Sequence, residues 1–295
     1  MSFNIHDYLK GRQSLIDRSL DRYLRELRQP QILYRAMHHG VFSGGKRLRP
    51  ILTLTTGELF GGRQRLLLPF ACGIELIHTY SLIHDDLPAL DNDDMRRGRL
   101  ASHKIFGEGM ALLAGDALLT EAFHLMSRPE VARALDPRLI LEIIREIAAA
   151  AGVCGMVGGQ AVDLEAEGRK ANIELVERIH VRKTGALILA AARVGARIAG
   201  AGPAEIRRIS RYAEFLGLAF QIADDILDAE GHNGAPGHAS AKERRKATYP
   251  SLVGLTSARD RARQLLRRCL KEIELFDKEA EPLRGIAHYV VERAA

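Results

Sequence analysis

Between residues 76 and 99 the chain reads LIHTYSLIHDDLPALDNDDMRRGR. An apolar stretch runs into Asp85, Asp86, Asp91, Asp93 and Asp94, then at once into Arg96, Arg97 and Arg99. Carboxylate oxygens are hard ligands that suit Mg2+, which keeps several waters and shares substrate phosphates with one or two carboxylates, while guanidinium forks take phosphate oxygens bidentately. Acids abutting bases therefore fit a polyanion bridged by metal, and point to diphosphate. A solvated charged loop is the competing reading. The segment FQIADDILD, residues 220–228, shifts the balance. Asp224 and Asp228 are four apart and Asp225 and Asp228 three apart, so their carboxylates converge along one helix face, with Gln221 one turn below. Such pairs destabilise a helix unless a cation neutralises them, so metal binding explains this cluster better than solvation does.

Other candidate groups are placed by spacing. Lys46, Arg47 and Arg49 in GGKRLRP lie just before Pro50, a residue favoured in the first turn of a helix, where free N–H groups and the dipole attract anions. Gly40 to Lys46 matches most of a P-loop, but Arg47 stands where Ser or Thr must bind Mg2+ and no strand precedes it, so that reading is rejected. Glu75, His78, Leu82 and Asp85 share a helix face, which puts His78 two turns below the first aspartate, either in the same cavity or hydrogen-bonded in the core. Lys183 and Thr184 in VRKTGA open an Ala-rich helix. The glycines of GMVGGQAVDL suggest a break or a close helix approach beside Gln160 and Asp163.

Helical periodicity is expected to position these groups. It runs from Phe3 to Leu27, from Pro30 to near Gly40, from Ile51 to Phe60, from Leu66 to about Leu87, from Met110 to Met126 and from Leu139 to about Cys154. It resumes from Pro203 to Asp228, Thr256 to Phe276 and Pro282 to Arg293. No strand pattern of useful length interrupts it, so the expectation is one all-α domain over residues 1–295. Hydrophobic content of 46% with 27% charged residues is ordinary globular composition. The formal net charge of +6 comes with few aromatics, no Trp and no nucleic-acid motif, so the basic excess is read as serving small phosphorylated ligands, with no nucleic-acid partner. Cys72, Cys154 and Cys269 form no CxxC pair, the N-terminus lacks an apolar signal core, and Arg193 and Arg197 interrupt the apolar run near 185–202. A cytoplasmic protein without a transmembrane segment is expected.

With two aspartate-rich helix ends, GGKRLRP and a Lys-Thr-Gly segment in this order, the sequence resembles the trans-isoprenyl diphosphate synthases, particularly the bacterial farnesyl and geranylgeranyl enzymes. The resemblance runs from about Met37 to Pro250 and weakly beyond, through HDDLPALDNDDMRRG, LAGDALL, GGQAVDL, HVRKTGALI, GLAFQIADDILD and KATYP. It implies an isoprenoid synthase helical bundle around a deep cavity, the two Asp motifs facing each other across its mouth, in a homodimer. It implies that Asp85, Asp86 and Asp91 on one side, and Asp224, Asp225 and Asp228 on the other, hold three Mg2+ ions on an allylic diphosphate, dimethylallyl or geranyl. Arg96, Lys183, Thr184 and Gln221 would contact that substrate, Lys46, Arg49, His78 and Arg97 would bind isopentenyl diphosphate, and Lys246 keeps a substrate-binding position by alignment to KATYP.

Tyr80 lies five positions before Asp85, roughly 7–8 Å deeper along the helix. By resemblance an aromatic there is the floor for a growing chain, beside the small Ser81, which favours farnesyl over geranylgeranyl diphosphate as product. Two departures stand out: His238 and Ala241 occupy places where such enzymes carry Lys and Asp, with Lys242, Arg244 and Arg245 nearby as substitutes. They leave a non-catalytic subunit of a heteromeric synthase as the alternative of another class. A terpene cyclase is disfavoured, because GGKRLRP, His78 and Arg97 make a second diphosphate site that a cyclase does not need.

Overall fold

The computed structural model describes residues 3–231 and 247–293. Its helices are α1 (Ile5–Arg25), α2 (Gln31–Val41), α3 (Leu48–Leu59), α4 (Gln64–Asp85), α5 (Ser102–Phe106), α6 (Glu108–Met126), α7 (Pro129–Ala132), α8 (Pro137–Ala151), α9 (Met156–Ala166) and α10 (Ile173–Ile179). A π-helical turn over His180–Gly185 leads into α11 (Ala186–Ile198), followed by α12 (Pro203–Ala229), α13 (Tyr249–Val253), α14 (Leu255–Glu272) and α15 (Glu281–Glu292). The sheet content described is one small hairpin, β1 (Met95–Arg96) with β2 (Arg99–Leu100), paired Met95 to Leu100 and Arg96 to Arg99. The fold is the all-α one the periodicity predicts.

α4 is the central element. It packs on α6, α3, α1, α2 and α11, with Phe70, Ile74 and Ile77 wholly buried. Its apolar length would let it cross a membrane, but 78% of its most apolar window is buried inside the protein, so it is a core helix. α3 packs on α11, α11 on α12, and α12 on α14, closing the bundle. Small residues let α3 and α11 touch backbone to backbone: a Cβ on Gly57 would lie 3.1 Å from the Gly195 carbonyl, and Thr53 Oγ1 donates across to the Ala191 carbonyl at 3.0 Å.

Three elements bear on the sequence expectation. Of the two readings of the glycine-rich stretch around 155–164, the close helix approach holds and the break does not: it is α9, a helix whose Gly159 lies against the Lys183 backbone with no room for a Cβ. Helix α3 starts two residues before Pro50, with Arg47 as its N-cap in the left-handed region at φ 51°. The hairpin after α4 was unforeseen because its strands are only two residues long. Its turn is made by Arg97 at φ 54° and Gly98 at φ 76°, the pair of positive φ values that a two-residue hairpin loop requires.

Candidate active site

Asp85 ends α4 and Asp86 caps it. The loop then folds back: the Asp91 N–H donates to the Asp85 carbonyl at 2.8 Å and the Asn92 N–H to the Leu87 carbonyl at 3.1 Å. This brings Asp91 beside Asp85. Asp86 is buried, and its Oδ1 accepts from Arg96 Nε at 2.9 Å and again from Arg96 Nη2, which also reaches Asp93 Oδ2 at 3.5 Å. Burial raises the Asp86 carboxyl above its ordinary range, with Arg96 opposing it. Asp86 Oδ1 is thus the buried counter-ion that orients Arg96.

Arg97 sits in the turn and not on a strand, and it reaches away from Asp86, toward the loop before α3. Its Nη1 donates to the Gly44 carbonyl and its guanidinium covers Gly45, where any side chain would collide with it. Arg97 thus joins the α2–α3 loop, where the Lys46-Arg47-Leu48-Arg49 run divides its labour. Arg47 points into the core, with Nε 2.9 Å from Asp17 Oδ1, Nη1 2.8 Å from Glu75 Oε1 and Nη2 donating to the Val41 carbonyl at 2.6 Å. It is a structural residue, and the phosphate reading of the trio is corrected at that position.

Arg49 is the opposite case. It is buried, and its Nε has no partner among the described residues. Burial drives its pKa down to about 10, neighbouring Arg97 pushes the same way, and Glu75 and Asp224 offset them only in part. Burial also lowers Lys46, reinforced by Arg293 and Arg97. His78 is held well below the ordinary histidine range, first by burial and then by Arg49, Arg97, Arg47 and Arg96, so it stays neutral. Exposed Lys46 and Arg97 and buried Arg49 therefore gather like charges around the neutral His78, a state that a bound polyanion relieves.

The second acid cluster lies across that cation cluster, since both Lys46 and Arg49 feel Asp224. Asp224 Oδ1 pairs with Arg293 Nη2 at 2.8 Å. Burial raises its carboxyl and Asp228 adds to the rise, against Arg293 and Lys46. Asp225 behaves differently, because it is 5% exposed and its oxygens accept from Gln221 Nε2 at 3.1 Å and the Tyr249 N–H at 2.8 Å. Burial pushes its pKa up to about 6. Each of its oxygens thus already accepts from a protein donor.

The π-helical turn delivers Lys183 and Thr184 to the same region: Lys183 Nζ donates to Asp163 Oδ2 at 2.9 Å, and Thr184 Oγ1 to Gln221 Oε1 at 2.8 Å. Tyr80 is buried one turn and a half below Asp85, edge-on to the His84 ring with centroids 5.7 Å apart, and Asp85 helps raise its hydroxyl pKa after burial. Ser81 Oγ donates to the His78 carbonyl at 2.9 Å. Lys246, with His238, Ala241 and Lys242, lies outside the described residues.

Sequence reasoning gave no role to two groups that the geometry brings in. Gln160, between Gly159 and Asp163 on α9, has both ends of its amide buried without a partner among the described residues. Arg293, just past α15, reaches Asp224, stacks over Phe220 with 4.6 Å to the ring centroid, and keeps a buried Nη1 without a partner among the described residues. Gln160 was signalled by the neighbouring glycines. Arg293 had no local signal.

Among the described residues no three acidic or imidazole side chains already converge on one metal position. Mg2+ needs no such cage, because one or two carboxylates plus substrate phosphates and waters complete its octahedron. The all-oxygen pairs Asp85 with Asp91, and Asp224 with Asp228, suit that mode.

Residues 30–283 match the Polyprenyl synthetase family. The chain is 44% identical over 284 residues to the farnesyl diphosphate synthase of Escherichia coli, spanning 94% of this chain and 95% of that one. It is 41% identical over 295 residues to a geranylgeranyl diphosphate synthase of Cyanophora paradoxa, spanning 99% and 97%. The solved apo structure of an FPP/GFPP synthase from Zymomonas mobilis superimposes with a TM-score of 0.86 at 38% identity over 99% of this chain and all of that one, 100%. By its all-α fold, its paired acid clusters and this match through nearly its whole length, the chain belongs to the polyprenyl synthetase family of prenyltransferases.

Proposed function

We propose that this prenyltransferase joins isopentenyl diphosphate head to tail to dimethylallyl or geranyl diphosphate, with farnesyl diphosphate as its main product. The observation that carries the reading is the buried, unpartnered Arg49 amid Lys46, Arg97 and neutral His78, beside a second cation, Arg96, turned to the acid cluster. One site takes each diphosphate: Lys46, Arg49, His78 and Arg97 the isopentenyl substrate, Arg96 and Lys183 the allylic one.

Asp85 and Asp91, with Asp224 and Asp228, are the residues that would hold Mg2+, three ions with substrate bound. When bound, that metal would supply charge neutralisation on the allylic diphosphate and Lewis acidity toward its departing oxygen. Arg96 and Lys183 stabilise the charge that accumulates on the leaving group, where preorganised cations are worth most. Gln221 and the Thr184 hydroxyl set oxygen dipoles beside the developing allylic cation, which needs a site closed to water. The released diphosphate serves as base for the final proton.

Tyr80 sets product length. Its ring lies buried below Asp85, where a chain anchored by its diphosphate arrives tail first. Tyr80→Ala is expected to shift the main product from fifteen carbons to twenty or more, and an unchanged distribution removes Tyr80 as the ruler. We further propose a cytoplasmic homodimer. Cys154 is an exposed free thiol, a state that reducing compartments maintain, and the outer face of α6 presents Leu112 and Leu113, 47% and 53% exposed, as an apolar stripe for a second copy.

The test is to incubate purified protein with Mg2+, isopentenyl diphosphate and each allylic diphosphate, then to chromatograph the dephosphorylated alcohols. Farnesol is expected. Chiefly twenty-carbon alcohol would replace the farnesyl assignment by geranylgeranyl, and no incorporation with any starter would overturn the reading.

A further inference from the structure

Asp225 neighbours Asp224 in sequence but belongs to a different machine. Three groups converge on its carboxylate: Gln221 Nε2 on Oδ1 at 3.1 Å, the Tyr249 N–H on Oδ2 at 2.8 Å, and His180 Nε2 3.4 Å from that same Oδ2. His180 lies on the π-helical turn that also carries Lys183 and Thr184, and Tyr249 opens α13, so the carboxylate ties three segments together.

The hydrogen bonds here have a direction. An ionised carboxylate only accepts, so the end of the Gln221 amide facing Asp225 is its NH2. The other end, Oε1, then faces Thr184, and since a carbonyl oxygen only accepts, the Thr184 hydroxyl must donate to it, across 2.8 Å. The chain of donors runs Thr184 to Gln221 to Asp225 and cannot run the other way while the charge sits at its end. A hydroxyl that spends its proton on Gln221 has only lone pairs left for a substrate beside it.

We infer that Asp225 is a positioning residue that fixes the polarity of the Thr184–Gln221 chain, so that Thr184 turns oxygen lone pairs, not its proton, toward the positive charge developing on the allylic substrate. The inference rests on the prenyl-transfer reading. With the chain reversed, the Thr184 O–H dipole would point its positive end at that charge. Asp225→Asn is close to isosteric and makes the reversal. The Tyr249 N–H cannot turn round and keeps the introduced carbonyl, leaving the introduced NH2 facing Gln221. Gln221 must then flip, its own NH2 donates to Thr184 Oγ1, and the hydroxyl proton is displaced from Gln221 toward the substrate side.

The experiment measures kcat and the Mg2+ half-saturation for wild type, Asp225→Asn, Thr184→Ala, the double variant and Asp224→Asn. Asp225→Asn is expected to lower kcat about 10- to 100-fold at saturating Mg2+ while leaving the Mg2+ half-saturation within about threefold of wild type; Asp224→Asn should raise that half-saturation about tenfold or more. Because Asp225 acts through Thr184, the double variant should fall no more than about threefold below Thr184→Ala, a failure of additivity that a general structural defect would not produce. Gln221→Leu, which cuts the chain in the middle, should show the same non-additivity with Thr184→Ala and keeps the test open should Asp225→Asn not fold. The inference is overturned if Asp225→Asn behaves like wild type, if its activity returns at high Mg2+, or if its loss multiplies with that of Thr184→Ala. A wild type that elongates no allylic diphosphate overturns instead the reading beneath it, a result seen before any variant is compared.

Discussion

Arg47 and Arg49 are two residues apart and have opposite energetic signs. Arg47 neutralises buried Glu75, and removing one partner of a buried pair leaves the other uncompensated, so Arg47→Met is expected to cost about 3–5 kcal/mol of stability. Arg49 has no such partner and its charge is held buried at a penalty, so Arg49→Met should raise the melting temperature of the ligand-free enzyme while weakening isopentenyl diphosphate binding at least tenfold. Thermal unfolding and substrate titration of the two variants check both signs; loss of stability in Arg49→Met would contradict the account. His78 gives a pH test. Its folded pKa lies below its unfolded one, so the unfolded chain binds more protons and stability falls as pH drops below about 6.5, by up to about 1.4 kcal/mol per pH unit. His78→Gln should flatten this acid limb in urea titrations of ligand-free protein at pH 7.5 and 5; equal slopes would show that His78 is not held neutral. At this scale the residue types were legible in the sequence, but not their directions. That Arg47 turns inward depends on a left-handed φ, that Asp86 meets Arg96 depends on the hairpin, and that Asp225 is tied to Tyr249 depends on the packing of α13 on α12.

Elements bring these groups into reach by close backbone approach. Gly159 of α9 abuts the Lys183 backbone, and on the other side of the same π-helical turn a Cβ on Gly217 of α12 would lie 3.0 Å from the Gly185 Cα. A turn clamped between two glycines holds Lys183 and Thr184 where Asp163 and Gln221 meet them. Gly159→Ala is expected to push α9 off the turn, to cost about 1–3 kcal/mol as overpacking does, and to lower kcat more than it changes either KM. Full activity in that variant would show that the approach is not what positions Lys183. The long amphipathic helices were legible from their periodicity, because each buries one stripe. α9 was not, because its glycines lower local helix propensity and only packing against the turn recovers it. The π-helical turn and the hairpin were equally hidden, being set by register and positive φ over a few residues.

At the scale of the whole molecule, α4 and α12 carry two acid clusters to opposite sides of one cation cluster, and the loop before α3, the hairpin after α4 and the end of α15 supply the cations. The sequence disclosed both acid clusters and the all-α bundle, because each is local. It did not disclose the Arg293–Asp224 pair, whose members are joined only by the packing of α15 on α12. The account's central claim is that this site holds two diphosphates, divided between the adjacent Arg96 and Arg97. Separate steady-state titrations of isopentenyl and allylic diphosphate on Arg96→Ala and Arg97→Ala test it most directly. Charge-assisted bonds worth about 1.5–3 kcal/mol predict a roughly 10- to 100-fold rise in the isopentenyl KM for Arg97→Ala and in the allylic KM for Arg96→Ala. If both variants lose affinity for the same substrate, or neither loses any, the two-site division is contradicted.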